Sequence, residues 1–336
     1  MPEHHDLQLL EVLRAGTKQY ELKHASEDQV AERPNQESTP RDQRDRRTTL
    51  RSTRPSQTDN RINAPHMLAI ETVTGAGGKG ANQAAAAARL GLNVSMIGRV
   101  GNDTIGSDLI AALQAVGVNV DAVVRTPGVP TGQAHVTVGP TGENMIVVSL
   151  GANARLSTED VAAAMSVLAN ARATLIQLEI PLSSVATAAE LSRGIVVLNP
   201  APAQDLGRDI LELVDVLVPN RAELMTLGGV PESTRDVAAV VRSLKLPCDV
   251  VVTLGAEGAL VVTKGSEWHV PAPNVSAIDA TAAGDAFCAA LADGLVRGAT
   301  LREAAIWAVR VASLTTTRRG AHASLLARAE ILESPR

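Results

Sequence analysis

Two short stretches hold the residues best suited to chemistry. The first is Asp279-Ala280-Thr281-Ala282-Ala283-Gly284-Asp285, followed by an apolar run from Ala286 that reads as a helix. Small residues at a helix start let backbone N–H groups converge, and the helix end adds free donors and a positive dipole. Such a turn suits an anion. Asp285 falls in the first turn. It is either a capping carboxylate, worth about 1 kcal/mol, or a base for an alcohol whose phosphorylation the nearby N–H groups assist.

The second stretch is Gly75-Ala76-Gly77-Gly78-Lys79-Gly80-Ala81-Asn82-Gln83, opening an Ala-rich run. Read literally, Gly75-x-Gly77-x-x-Gly80 fits the dinucleotide fingerprint, but the strand before it is poor and only Asp103 offers the acid expected about 20 residues on. It is not a Walker A loop, because Gly80 follows Lys79 where Ser or Thr should hold magnesium. What remains is a glycine turn of N–H donors, with Asn82 able to grip the hydroxyls of a polyol. A third segment, Pro219-Asn220-Arg221-Ala222-Glu223, closes a strand at the edge where α/β sheets bind ligands. Asn220 and Glu223 suit the waters around Mg²⁺, and equally suit an ordinary helix start. Glu179, also at a strand end, reads by itself as a solvated acid.

These segments need a frame. The pattern predicts helices over 81–90, 105–116, 158–169 and 183–193. Strands are expected over 94–99, 173–178, 195–199, 214–218, 250–254 and 259–263. That alternation implies βαβ units and a mostly parallel α/β sheet covered on both faces. Two strands over 133–138 and 143–150, joined by Gly139-Pro140-Thr141-Gly142, read as a hairpin forming a lid or small second layer.

Composition narrows the classes. In 336 residues, 45% are apolar, only four are aromatic (Tyr20, Trp268, Phe287, Trp307), and the net charge is −5. The core must be aliphatic, base-stacking platforms are disfavoured, and no general attraction to nucleic acid follows. No apolar run approaches the roughly 18 residues of a membrane span. Two cysteines, Cys248 and Cys288, argue against a disulfide framework and fit a cytoplasmic location. Residues 1–65 read as a solvated, disordered tail, apart from a marginal helix over 7–13. The arginines between 41 and 54 are read as part of that solvated tail.

Together the motifs resemble the ribokinase-like (PfkB-type) sugar kinases over roughly residues 68–330. The resemblance rests on residues 77–83 and 279–285. It extends to Gly98-Arg99-Val100-Gly101-Asn102-Asp103, Gly151-Ala152-Asn153, Gln177-Leu178-Glu179, Asn199-Pro200-Ala201-Pro202-Ala203, Asn220-x-x-Glu223, Thr253-Leu254-Gly255-x-x-Gly258 and Thr317-Arg318-Arg319-Gly320-Ala321, in that order. It implies ATP-dependent phosphorylation of the 5-hydroxyl of D-ribose, with deoxyribose, fructose or a nucleoside as the rival acceptor. Asp285 would be the general base, and Ala282, Ala283 and Gly284 the anion hole. Gly78, Lys79, Asn82 and Glu179 would line the sugar site. Asn220, Thr253, Gly255, Gly258, Gly284, Val309 and Ser313 would meet the nucleotide, and Glu223 would hold Mg²⁺ through water. Asp279, Thr281, Thr315, Arg318, Gly320 and Ser324 match an activating K⁺ site, and dimerisation through the lid is a family habit.

The resemblance also sets a domain expectation: a kinase domain over 66–330 with a lid hairpin near 131–150, and tails over 1–65 and 331–336. The family's first strand, ending in Gly-Ser-x-Asn-x-Asp, has no match in 1–65, and about ten residues are lacking between Glu71-Thr72-Val73 and the glycine motif. The central strand, one sugar-binding acid and half the lid are therefore expected to be missing or replaced, with a catalytically impaired nucleotide-binding relative as a further reading.

Overall fold

Val196-Val197-Leu198 and Val250-Val251-Val252 are apolar at every position, as suits a strand with a covered layer on each face. The computed structural model describes residues 6–10, 14–20, 71–138 and 144–334. In chain order the strands are β1 (Asp6–Leu10), β2 (Arg14–Tyr20), β3 (Glu71–Gly77), β4 (Asn93–Gly101), β5 (Asn119–Thr126), β6 (Gly132–Val138), β7 (Asn144–Ser149), β8 (Ala173–Ile176), β9 (Ile195–Leu198), β10 (Val216–Leu217), β11 (Asp249–Thr253), β12 (Ala259–Val262) and β13 (Glu267–Val270). The helices are α1 (Lys79–Arg89), α2 (Thr104–Ala115), α3 (Thr158–Ala163), α4 (Met165–Asn170), α5 (Leu182–Leu191), α6 (Arg208–Leu211), α7 (Arg221–Leu227), α8 (Val237–Leu244), α9 (Ala283–Val296), α10 (Leu301–Thr315) and α11 (Arg328–Glu333).

The large sheet runs β13-β12-β11-β10-β9-β8-β1-β4-β5. From β11 to β5 all neighbours are parallel, while β12 and β13 return antiparallel at one edge. The period of two decides which face each side chain serves. Val197 and Val251 join the layer of α1, α2, α9, α10 and α11; their neighbours Val196, Leu198, Val250 and Val252 join the layer of α3 to α8.

The N-terminal expectation is corrected over two stretches. Residues 6–10 are a strand, not the start of a helix, and they lie in the middle of the sheet, parallel to β4 on one side and β8 on the other. A run of five residues with a few leucines carries no decisive period. The gap between two parallel strands, each with a row of N–H and C=O groups to satisfy, selects the extended form. The rest of the expected tail, including the arginines between 41 and 54, lies outside the described residues.

The lid is corrected too. It is a four-stranded sheet ordered β3-β2-β6-β7, in which β2 pairs antiparallel with β3 and parallel with β6. β6 and β7 pair antiparallel as the hairpin pattern predicted, though residues 139–143 of its turn lie outside the described set. β3 therefore serves the lid rather than the core. The glycine motif begins inside a lid strand, so the dinucleotide fingerprint lacks the core strand it requires.

The lid joins the body at a pinned corner. Asp103 caps α2 by accepting from Gly106 N at 2.8 Å, and its other oxygen accepts from Thr131 N at 2.8 Å. The Thr131 hydroxyl donates to the same carboxylate at 2.5 Å while accepting from Gly101 N at 2.9 Å. Burial alone would raise the Asp103 carboxyl, but these donors outweigh it and hold the group below its ordinary value. A Cβ on Gly101 would sit 2.5 Å from Thr131 N, so only glycine permits the approach.

Candidate active site

α1 and α9 are both built largely from alanine. Ala81, Ala84, Ala85 and Ala87 on one, and Ala289, Ala290 and Ala292 on the other, are fully buried. Small side chains let two helices approach closely, and here they join segments some 200 residues apart. Asn82 Nδ2 donates to Asp285 Oδ2 at 2.7 Å and Gln83 Nε2 donates to Asp285 Oδ1 at 3.2 Å. The glycine turn and the helix bearing Asp285 thus form one site.

Local backbone geometry sets both helix starts. Gly78 precedes α1 at φ 102°, a region side chains avoid. Ala282 precedes α9 in the left-handed region at φ 62°, a conformation costing a non-glycine roughly 1 kcal/mol. Ala283 N already donates to Ala280 O at 3.2 Å, which leaves the N–H groups of Gly284 and Asp285 as the first-turn donors facing the cleft.

Asp285 is half-buried at the mouth of α9. Burial pushes its carboxyl from 3.8 up to about 6, against the pull of Lys79 and of the Asn82 and Gln83 amides, with Glu179 adding to the rise. The group is therefore ionised at neutral pH yet basic enough to take a proton. Glu223 is also raised, first by burial and then by Asp285, while the Asn220 N–H and Lys79 pull it down.

Two cavities meet here. One of about 190 Å³ is lined by Lys79, Asn220, Glu223 and Asp285, among others. The other, about 560 Å³ and mostly apolar, includes Gly255, Gly258, Phe287, Val309 and Ser313. Thr253 and Gly284 line both. The small polar chamber fits an acceptor hydroxyl with phosphate; the larger one fits a flat apolar body such as a nucleobase with its sugar.

Asn220 and Thr253 are adjacent because β10 and β11 end side by side, joined by a parallel bridge between these two residues. Asn220 Oδ1 accepts from Glu223 N and Glu223 Oε2 accepts from Asn220 N, each at 2.8 Å. This is a reciprocal helix cap, and both residues still border the small cavity. The helix-start reading of this segment is thus observed, and the cap leaves both residues lining the cavity. Glu179 is not a solvated acid but nearly buried, at 6% exposure.

The segment expected to hold a monovalent cation is partly assembled. Asp279 Oδ1 accepts from Thr281 N and Oγ1 at 3.0 and 2.6 Å, and Asp279 Oδ2 accepts from Gly320 N at 3.0 Å. Thr315 ends α10, and Ser324 is fully buried in the following turn. The Arg318 guanidinium turns elsewhere, to Glu330 Oε1 at 2.8 Å, so that residue can contribute only its backbone.

Several lining residues carried no assigned role in the sequence. Asn199 and Ala201 border the small cavity, and Asn199 Nδ2 donates to Val218 O at 2.8 Å. Their place just after β9, on the ligand-binding edge of the sheet, was a usable signal. Phe287 lines the larger cavity, a use that aromatic scarcity alone argued against. Cys288, one turn beyond Asp285, is buried and also borders the small cavity.

The sequence profile described as pfkB family carbohydrate kinase matches residues 54–328. The ribokinase of Haemophilus influenzae is 37% identical over 293 residues, covering 81% of this chain and 95% of that protein. The deoxyribokinase of Salmonella typhi is 39% identical over 257 residues, covering 74% and 84%. Among solved structures, the Thermotoga maritima ribokinase superposes with a TM-score of 0.78 at 29% identity, covering 98% of each chain. Arabidopsis thaliana ribokinase complexed with ribose and ATP gives 0.79 at 27% identity, again covering 98% of each.

Proposed function

This chain belongs to the pfkB family of carbohydrate kinases, and from that membership we propose that it transfers the γ-phosphoryl group of ATP to the 5-hydroxyl of D-ribose, a ribokinase activity. The observation that carries the reading is the meeting of the two cavities at Thr253 and Gly284, with Asp285 on the small side. An acceptor hydroxyl beside Asp285 gives its proton to the carboxylate as its oxygen attacks the γ-phosphorus. The bond from that phosphorus to the β–γ bridging oxygen breaks, and ADP leaves. The N–H groups of Gly284 and Asp285 offset charge on the transferring oxygens, as Lys79 does from the facing turn. Ala282 and Ala283 shape that turn, and Gly78, Lys79, Asn82 and Glu179 hold the sugar. Gly255, Gly258, Val309 and Ser313 border the nucleotide.

The oxygen donors fit two cations. Asn220 and Glu223 would hold Mg²⁺ through water, which supplies charge neutralisation at the phosphates. Asp279, Thr281, Thr315, Arg318, Gly320 and Ser324 would surround K⁺, with oxygens, several of them backbone carbonyls, facing the ion. The reading of an impaired relative rested on the absent Asn-x-Asp sugar site; β1 fills the central strand position, and the similarity to ribokinases favours an active kinase. The need for ATP and the two free thiols, Cys248 and Cys288, support a cytoplasmic location. No helix among the described residues is long and apolar enough to cross a membrane.

The test is turnover of the purified full-length chain with ATP and Mg²⁺ on D-ribose, 2-deoxy-D-ribose, fructose and adenosine. Ribose should give the highest kcat/KM by about tenfold or more, since a site built for a hydroxyl rejects an acceptor lacking it. A preference for deoxyribose or adenosine overturns the substrate. Chelating Mg²⁺ should abolish turnover, and exchanging K⁺ for Na⁺ should lower it.

The lid supports a homodimer. β7 is its edge strand, and Met145, Ile146, Val147, Val148 and Leu150 stand 63%, 57%, 57%, 43% and 38% exposed. An apolar edge strand invites a partner, and a second lid has the matching chemistry. Sedimentation should give a dimer for the native chain and a monomer for Val147→Glu. A native monomer at micromolar concentration overturns the assembly.

A further inference from the structure

We infer that Gln177 is a positioning residue for this reaction: acting through Gln83, it helps fix which end of a buried amide faces the Asp285 carboxylate. The inference rests on Asp285 being the base in the sugar-kinase reading above.

Gln177 immediately follows β8, and both it and Gln83 are fully buried. Gln177 Nε2 donates to Gln83 Oε1, and Gln83 Nε2 donates onward to Asp285 Oδ1 at 3.2 Å. Three side chains from three elements thus form one directed chain ending at the reacting carboxylate. An amide has a donor end and an acceptor end on nearly the same shape, so rotation about its last torsion exchanges them at little steric cost. If Gln83 reversed, its carbonyl would face the carboxylate and its NH₂ would face the NH₂ of Gln177. With no exposure at either glutamine, water cannot relieve the two repulsions. Gln177 thereby adds to the carboxylate's own preference for the NH₂ end, so the reversed amide is disfavoured from both sides. It borders neither cavity, so its influence must pass through Gln83.

The far end of Gln177 strengthens the case. Its Oε1 is buried and accepts no hydrogen bond among the described residues. Leaving a polar atom unsatisfied is costly, so an apolar residue of the same length would serve packing better. What glutamine adds is the single donor aimed at Gln83. The charged groups facing Asp285 are Lys79 from α1, Glu179 from the turn after β8 and Glu223 from α7.

The test replaces Gln177 by methionine, which keeps the length and removes the donor. Wild type and variant are compared in kcat and KM for D-ribose across pH, and in ¹³C NMR titration of the Asp285 carboxyl in the unliganded chain. With the amide held from one side only, turnover should fall about tenfold, as for one lost hydrogen bond, with sugar KM within about twofold. The acid limb of the rate profile and the NMR midpoint should both rise by about one unit, because a donor to the ionised form has been withdrawn. Gln177→Glu, whose buried carboxyl stays protonated and can still donate, should recover turnover to within about threefold of wild type. Gln177→Asn keeps an amide one methylene short. It should shift the midpoint the same way, and it carries the test if the methionine variant does not fold. An unmoved midpoint, with or without loss of turnover, overturns the inference. The NMR titration needs no turnover: a chain inactive on every sugar would sink the kinase reading, while the midpoint would still decide the role of Gln177.

Discussion

Replacing Asp285 by asparagine is expected to lower kcat about a thousandfold while leaving nucleotide binding intact, because removing a positioned base typically costs 10²–10⁴. The sign of the stability change separates catalysis from damage. The folded carboxyl titrates at about 6, above its ordinary 3.8. Between those values the folded chain keeps a proton that the unfolded chain has released. The stabilisation from that proton is complete below the unfolded value and is lost as pH rises through about 6. At pH 7.5 the native chain therefore carries an ionised, desolvated group that asparagine does not. The Asp285→Asn protein should melt at a higher temperature than wild type there, and the difference should vanish near pH 4. In the native chain the rate should climb with pH through about 6, as the base ionises. Retained turnover overturns the assignment, and a lower melting temperature with lost nucleotide binding marks a structural role instead.

Removing residues 1–20 should abolish cooperative folding. β1 pairs along its length with β4 and β8, so its loss splits the nine-stranded sheet between two parallel neighbours. Roughly ten ladder hydrogen bonds at about 1 kcal/mol each would already match the whole stability of a domain, about 5–15 kcal/mol. The opened seam adds further cost, and β2 goes with β1, leaving β3 and β6 of the lid without the strand between them. Circular dichroism should show no sigmoidal melt for the shortened chain and one for the full chain. A truncated protein that melts cooperatively and phosphorylates ribose would show that β1 is dispensable.

The site was more legible in the sequence than the frame that holds it. Asp285, the glycine turn and Asn82 stood out because an anion-handling turn needs small residues in tight local order, whereas Lys79, Gly255 and Gly258 were placed by the family resemblance. Those needs are met within a few residues and leave a local trace. The nucleotide cavity was reachable only in outline: Val309 and Ser313 were expected, whereas Phe287 and the residues after β13 line it because α9, α10 and that loop converge.

From the sequence alone came the α/β alternation, the hairpin of β6 and β7, the two motifs that meet at the site and the identity of its acid. Tertiary structure alone decided that residues 6–10 extend rather than coil, that β3 belongs to the lid, and that two glutamines 94 positions apart share a hydrogen bond. The division follows from range. Turns and caps are satisfied by neighbours in the chain, so their residues announce them. A short strand and a buried amide take their state from partners brought beside them only when the sheet closes.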